Sequence, residues 1–249
     1  MTKFEALFGI KASQIRENCI LMPVIPKGVL AEFKINNLAR GKLYSASSND
    51  NFTLVHTKIG PGFTGDAVLW LKKAGCKNII LFGSCGAVRE TKDLTIGSFV
   101  VPVKCFSNES FTVFLKKHGG ASIFHEGKIG KNRSVPIFLP DKKLLSKLIS
   151  AIGAKEVNCS SIPSLKLEES MAKVFIKNKI DVVEMECSAC FAAAKYAGIK
   201  AAALFYVSDV INKYPFYREL AVDKKEKLSF AIKTAASALC QLIKTNLNV

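Results

Sequence analysis

The stretch from Asp181 to Asp209, DVVEMECSACFAAAKYAGIKAAALFYVSD, limits what this chain can become more than any other. A short apolar run, Val182-Val183, delivers Glu184-Met185-Glu186 to the start of a helix predicted over residues 187–197. Ala189, Ala192, Ala193, Ala194 and Ala197 favour that helix and keep it thin enough to lie close on a sheet. Gly198 stands where a left-handed C-terminal cap is expected. Residues 201–207 are an unbroken apolar run, which suits a strand buried on both faces, and it ends at Ser208-Asp209. Strand, helix and strand in this order point to an α/β fold. Open α/β sheets bind their ligands at the carboxyl ends of the strands. Glu186 and Asp209 both fall at such places. Taken singly, Glu186 serves the positive end of a helix and Asp209 starts a turn. Their pairing across one unit makes them candidates for chemistry.

The rest of the 249 residues supports a large core, since 49% are hydrophobic. The net charge of +16 comes from 36 basic and 20 acidic residues, but the lysines are scattered, as at Lys142, Lys143 and Lys147. That pattern describes a solvated surface, and no nucleic-acid partner is expected. Of the eight cysteines, Cys19, Cys76, Cys85, Cys105 and Cys159 stand singly, mostly in apolar company, as buried thiols of a reducing compartment. Cys187 and Cys190 form a C-x-x-C, but it lies inside the alanine-rich helix without a second pair, so no metal is expected. No leader and no membrane-spanning run is visible, and a soluble, cytoplasmic protein without a membrane partner is the expectation.

In order along the chain, residues 1–18 read as a polar helix or arm and residues 19–24 as a first strand, broken by Pro23 and Pro26. A short helix is expected over 29–38, then strands over 43–46 and 52–57 joined by a turn at Asn49-Asp50-Asn51. Gly60, Gly62 and Gly65 match G-x-G-x-x-G ahead of a helix over 66–74. The acidic residue that would hold a ribose after the next strand, 78–82, is missing, which weakens a dinucleotide reading. Gly83-Ser84-Cys85-Gly86-Ala87 reads as a loop presenting amides and a hydroxyl, either a tight turn or an anion site. It is not a nucleophile elbow, and the histidines, His56, His118 and His125, lie in unrelated places. Further strands are expected over 95–103 and 155–161, and helices over 141–152, 168–178 and 229–245; residues 104–135 give no clear pattern. Tyr214-Pro215-Phe216-Tyr217-Arg218 is an aromatic loop suited to cover a site. With no repeat or linker, a single domain over residues 1–249 is expected.

Three stretches together, VVEMECSACFAAAKYAGI, LFYVSD, and ILFGSCGAV followed by TIGSFVVP, resemble the nucleoside phosphorylase superfamily, which includes purine nucleoside and uridine phosphorylases and methylthioadenosine nucleosidases. The resemblance implies a three-layer α/β/α sandwich around a mixed central sheet. It implies that Glu186, with Glu184 and Met185 beside it, binds the ribose, and that Asp209, with Ser208, faces the purine N7. It places Ser84 and Gly60 at phosphate, with Arg40 reaching the site of a neighbouring subunit in a dimer or trimer of dimers. Inorganic phosphate is then a co-substrate, and no organic cofactor is implied. The sequence departs from that pattern at Val24-Ile25-Pro26-Lys27-Gly28, where a phosphate loop is usual, and at Leu81 and Lys58, where an arginine and a glycine are usual. The glutamates that activate water in the hydrolytic members are also missing between Glu17 and Glu32. Phosphorolysis of a purine or related nucleoside is the main expectation; hydrolysis of the same bond, or nucleoside binding without catalysis, are the alternatives.

Overall fold

The computed structural model describes residues 1–117, 125–129 and 133–246. Its elements run α1 (Lys3–Phe8), β1 (Asn18–Met22), α2 (Val29–Glu32), β2 (Ala39–Arg40), β3 (Ser45–Ser48), β4 (Thr53–His56), α3 (Pro61–Lys73), β5 (Asn78–Ala87), β6 (Phe99–Ser107) and α4 (Ser110–Lys117). They continue with β7 (His125–Ile129), β8 (Arg133–Phe138), α5 (Lys142–Ile152), β9 (Lys155–Ser161), α6 (Leu165–Lys177), β10 (Val182–Glu184), α7 (Cys187–Ala197), β11 (Lys200–Val210) and α8 (Val222–Asn246). His118 lies outside the described residues.

The strands form one mixed sheet in the order β2-β3-β4-β1-β5-β10-β9-β6-β8-β7, and β11 pairs with both β5 and β6. β1, β4, β5 and β11 run parallel, whereas β10 meets β5, and β6 meets β11, antiparallel. Two routes therefore join β5 to β6, one through β11 and one through β10 and β9, and these five strands close into a ring. Nothing in the sequence announces that closure, because β10 is only three residues long.

Helices cover both faces, and the strands' period of two sorts their side chains between them. Cys19 and Leu21 of β1, Ile79 and Leu81 of β5, and Ala201, Ala203 and Phe205 of β11 pack with α3 and α7. The alternate residues Ile20, Met22, Ile80, Phe82, Ala202 and Leu204 pack with α2, α5 and α8. The alanine-rich α7 buries every residue from Cys187 to Ala194 and ends at Gly198 in the left-handed conformation, φ 65°.

Several boundaries differ from the sequence reading. The N-terminal segment is not a polar arm: α1 buries Phe4 and Phe8 and is capped by the Thr2 hydroxyl. The helix expected over 29–38 stops at Glu32. α3 begins at Pro61 rather than Asp66, because proline fits the first helical turn, where its missing N–H costs nothing. The final helix begins at Val222, earlier than expected. Residues 83–87 are not a loop but the second half of β5, paired to β11 as far as Ala87. β11 likewise does not stop at Val207; it carries Ser208 and Asp209 inside the strand. Among the described residues, no helix is long and apolar enough to cross a membrane.

Candidate active site

The ends of β5, β10 and β11 bring acidic side chains together. Along β11 the pairing with β5 slips once: Val207 lies opposite Cys85, but Asp209 lies opposite Gly86. Ser208 is the extra residue of a bulge. In a regularly alternating strand Asp209 would share the face of Val207; the bulge turns Asp209 to the face of Gly86. Gly86 leaves the room this needs, since a Cβ there would lie 2.7 Å from Asp209 Oδ2. The Ser208 hydroxyl donates to Asp209 Oδ1 at 2.7 Å. Asp209 is only 7% exposed, and burial raises its pKa against the opposing pull of the Ser208 hydroxyl.

Glu184 and Glu186 leave β10 as it passes antiparallel to the end of β5, Val183 opposite Gly86. Glu184 turns inward. Its Oε2 accepts the amides of Glu186 and Cys187, each at 2.6 Å, and its Oε1 accepts the Ser161 hydroxyl. It thereby fastens the first turn of α7 rather than facing open space. Glu186 reaches the other way, and its Oε1 accepts the Gly60 amide at 2.6 Å. Gly60 is the N-cap of α3, so the carboxylate rests at the positive end of that helix. Burial still pushes Glu186 up to about 7. The Gly60 amide that the sequence suggested for phosphate is thus already taken by a carboxylate. Met185 sits half-buried between the two glutamates.

Ser84 lies two residues before Gly86 and shares its face, opposite Tyr206, whose phenol its hydroxyl meets. Burial pushes Tyr206 up to about 12. Lys58 keeps the left-handed backbone of the glycine it replaces, at φ 67°, and its ammonium lies over the Phe63 ring at 5.6 Å. Arg40 is the one candidate the fold leaves away from this group. It is exposed on β2, four strand positions from β5, about 19 Å along the sheet at the usual strand spacing.

A further acid belongs here and was missed in the sequence. Glu168, in the first turn of α6, is 6% exposed, and its Oε1 lies 2.9 Å from the same Gly86 Cβ point that Asp209 approaches. Burial, and then the neighbouring Asp209 charge, push it up to about 7. Cys85 lies beneath, its thiol raised by burial and by Asp209, Glu184 and Glu168. The available signal was phase: Glu168, Ala172 and Phe175 fall on one face of α6, and all are buried. A glutamate in step with the apolar face of a helix needs an explanation.

Glu168 and Asp209 line a cavity of about 40 Å³ with Leu165, Ile211, Pro215 and Phe216. That is room for about one or two water molecules. Tyr217, in the aromatic segment, also lines it and donates to Glu169 Oε1 at 2.8 Å. Among the described residues, the ligand atoms spaced for a metal are those of Cys105, Glu184 and Cys187, within 4.8 Å of one another. Glu184 already spends both oxygens on Ser161 and the backbone, so the trio is accounted for as a packed hydrogen-bonded cluster.

Residues 21–247 match the family described as the phosphorylase superfamily, and the chain belongs to that family. No curated protein sequence matches it. Among solved structures it is similar to the uridine phosphorylase of Vibrio fischeri, with a TM-score of 0.71, 20% identity and 95% of each chain covered. It is also similar to the purine nucleoside phosphorylase of Toxoplasma gondii, with a TM-score of 0.66, 18% identity and 94% of each chain covered. The 5′-methylthioadenosine/S-adenosyl homocysteine nucleosidase of Campylobacter jejuni gives a TM-score of 0.66 at 16% identity, covering 91% of this chain and 97% of its own. The mixed sheet with helices on both faces is the fold these enzymes share.

Proposed function

We propose that this protein cleaves the N-glycosidic bond of a purine nucleoside and transfers the sugar to inorganic phosphate. The observation that carries the proposal is the placing of two buried carboxyls, Asp209 and Glu186, on either side of the end of β5, both with raised pKa. Breaking the bond leaves the electron pair on the base and positive charge on the sugar. A neutral carboxyl at Asp209 supplies the proton that the departing N7 side of the base needs, and a raised pKa keeps that proton available near neutral pH. In its ionised form Glu186, with Met185 beside it, receives the ribose hydroxyls and favours the developing cation. A phosphate oxygen then bonds to the anomeric carbon, with Ser84 and, once Glu186 releases it, the Gly60 amide at the start of α3 as the candidate groups to hold the anion.

Hydrolysis by water is the second reading, and a specific observation favours it. The Gly60 amide holds Glu186, and Leu81, where an arginine is usual, is fully buried in the core. Phosphorolysis requires Glu186 to leave Gly60 for the ribose, which frees the amide for the anion.

Release of free base from a panel of purine and pyrimidine nucleosides, with and without phosphate, tests both readings. Phosphate-dependent release is expected, falling about 100-fold or more in Asp209→Asn while nucleoside binding survives. Release indifferent to phosphate assigns hydrolysis. Full activity in a folded Asp209→Asn would remove the acid assigned here.

A further inference from the structure

A second cavity, of about 410 Å³, shares no lining residue with the one at Glu168 and Asp209. It lies where three segments meet: the turn after β5, the start of β9 and the passage from α6 to β10. Its volume falls in the range of small-molecule sites. Leu94 and Ile180, both 3% exposed, and Ile176 give it apolar walls. Arg89, Lys155 and Lys179, all exposed residues, line it too, and Asp181 is its single acid. Three cations against one acid leave the lining with a net charge of +2. Among the described residues, none of the three cations is in an ion pair. Glu90, next to Arg89 in the sequence, is already engaged by Lys213 and by the Thr95 hydroxyl.

The walls are fixed without a ligand. Thr91 and Leu94 exchange both backbone hydrogen bonds, at 3.0 and 3.2 Å, which closes the turn that follows Arg89. The Asp181 amide donates to the Asn158 carbonyl at 2.9 Å, and its carbonyl accepts the Val88 amide at 2.9 Å. Asp181 Oδ2 accepts the Asn158 amide at 2.8 Å, and the Asn158 side chain donates to the Lys179 carbonyl at 3.0 Å. Lys179 has φ 56°, a left-handed backbone that glycine adopts at less cost. A lysine there weakens the turn and adds a third cation to the cavity.

We infer that this cavity is a second binding site and takes an organic phosphomonoester, a phosphate group on an apolar body. A phosphomonoester carries close to two negative charges at neutral pH, which matches the lining. The planar Arg89 guanidinium pairs with two phosphate oxygens at once, and the two lysines act as point charges beside it. The body packs on Leu94, Ile176 and Ile180. Inorganic phosphate alone would leave that apolar surface facing water and forgo its burial. No bond forms or breaks in this site, and the inference does not rest on the proposed cleavage.

The test is calorimetric titration of the full chain with phenyl phosphate, set against its two halves, phenol and inorganic phosphate. The double variant Arg89→Gln/Lys179→Gly serves as the control. Glycine relieves the left-handed backbone at position 179, so the melting temperature of Lys179→Gly is expected to match or exceed that of the wild type. Phenyl phosphate is expected to bind the wild type and to bind the double variant at least about 10-fold more weakly, the scale of one charged hydrogen bond. The binding that the variant removes is expected to be at least about 10-fold tighter for phenyl phosphate than for inorganic phosphate, through burial of the ring. It should also weaken as salt is raised. No binding of phenyl phosphate by the wild type overturns the inference. Undiminished binding by the folded double variant overturns it too, since the probe then sits elsewhere. Equal loss of equally tight inorganic phosphate makes the cavity a bare anion site and rejects the organic ligand. Should the double variant fail to fold, Lys155→Gln, exposed at the start of β9, gives the same reading.

Discussion

The carboxyls of Glu168, Glu186 and Asp209 are held in an environment that favours their neutral form. Glu168 and Glu186 move from an ordinary 4.5 up to about 7, burial being the first cause in both. A carboxyl with a raised folded pKa binds its proton more tightly in the native state than in the unfolded chain. Its contribution to stability is present at low pH and is lost as pH rises from the unfolded value through the folded one. The window is therefore about 4.5 to 7 for both glutamates, with Asp209 acting in the same direction. The melting temperature of the protein alone should be higher at about pH 5.5 than at about pH 8, each kcal/mol being worth about 2–4 °C at this size. Glu168→Gln should raise the midpoint at the higher pH and flatten the profile. Scanning calorimetry across that range checks it; a midpoint that climbs with pH would show these acids to be ionised in the fold.

At the scale of elements, the glycines of the G-x-G-x-x-G stretch divide between backbone geometry and packing. Gly60 takes φ 127° as the cap of α3 and offers its amide to Glu186. Gly65, inside α3, lies against α4: a Cβ there would come within 2.2 Å of the Phe111 ring. Gly62, also inside α3, would place a Cβ in open space. Gly65→Ala is therefore expected to cost about 1–3 kcal/mol by overpacking, part of it recovered by adding Phe111→Leu. Gly62→Ala should be neutral or gain up to about 1 kcal/mol from helix propensity. Urea unfolding of the variants separates the two cases, and equal losses at both positions would contradict this division. The alanine-rich α7 belongs to the same logic, since small side chains let it lie between α3 and the sheet while Glu184 secures its first turn.

For the molecule as a whole, the open question is which surfaces meet. Arg40 sits exposed on an edge strand, too far along the sheet to reach Ser84 in its own chain. The role at phosphate that the resemblance implies for it requires a second copy. Light scattering is expected to give a mass of two or more chains of 27.1 kDa, and Arg40→Ala to weaken phosphate dependence without changing that mass. A single-chain species that keeps its full response to phosphate would take Arg40 out of the site. The net charge of +16 has no single face in the described structure; the exposed lysines are spread over α5, α6 and α8 among others.

Much of this was written in local pattern. The apolar run of β11, the alanines of α7 and Gly198 specify their elements through propensity and periodicity, which act over a few residues. The motif residues Glu186, Ser208 and Asp209 could be named because spacing within one unit fixes their place at strand ends. Other features depend on contacts between distant segments, which no local pattern encodes. Closure of the ring through β10 and β11 is one, and the bulge that turns Asp209 toward Gly86 is another. Glu168 is the clearest case: it lies 41 positions before Asp209 in the sequence, and only packing of α6 against the end of β11 makes a pair of them. The sequence by itself determined the class of fold and the acids at its strand ends, through the short-range periodicity of burial. The tertiary structure alone decided which acids share a cavity and which amides they occupy, because electrostatic environment is set by whatever the fold brings near.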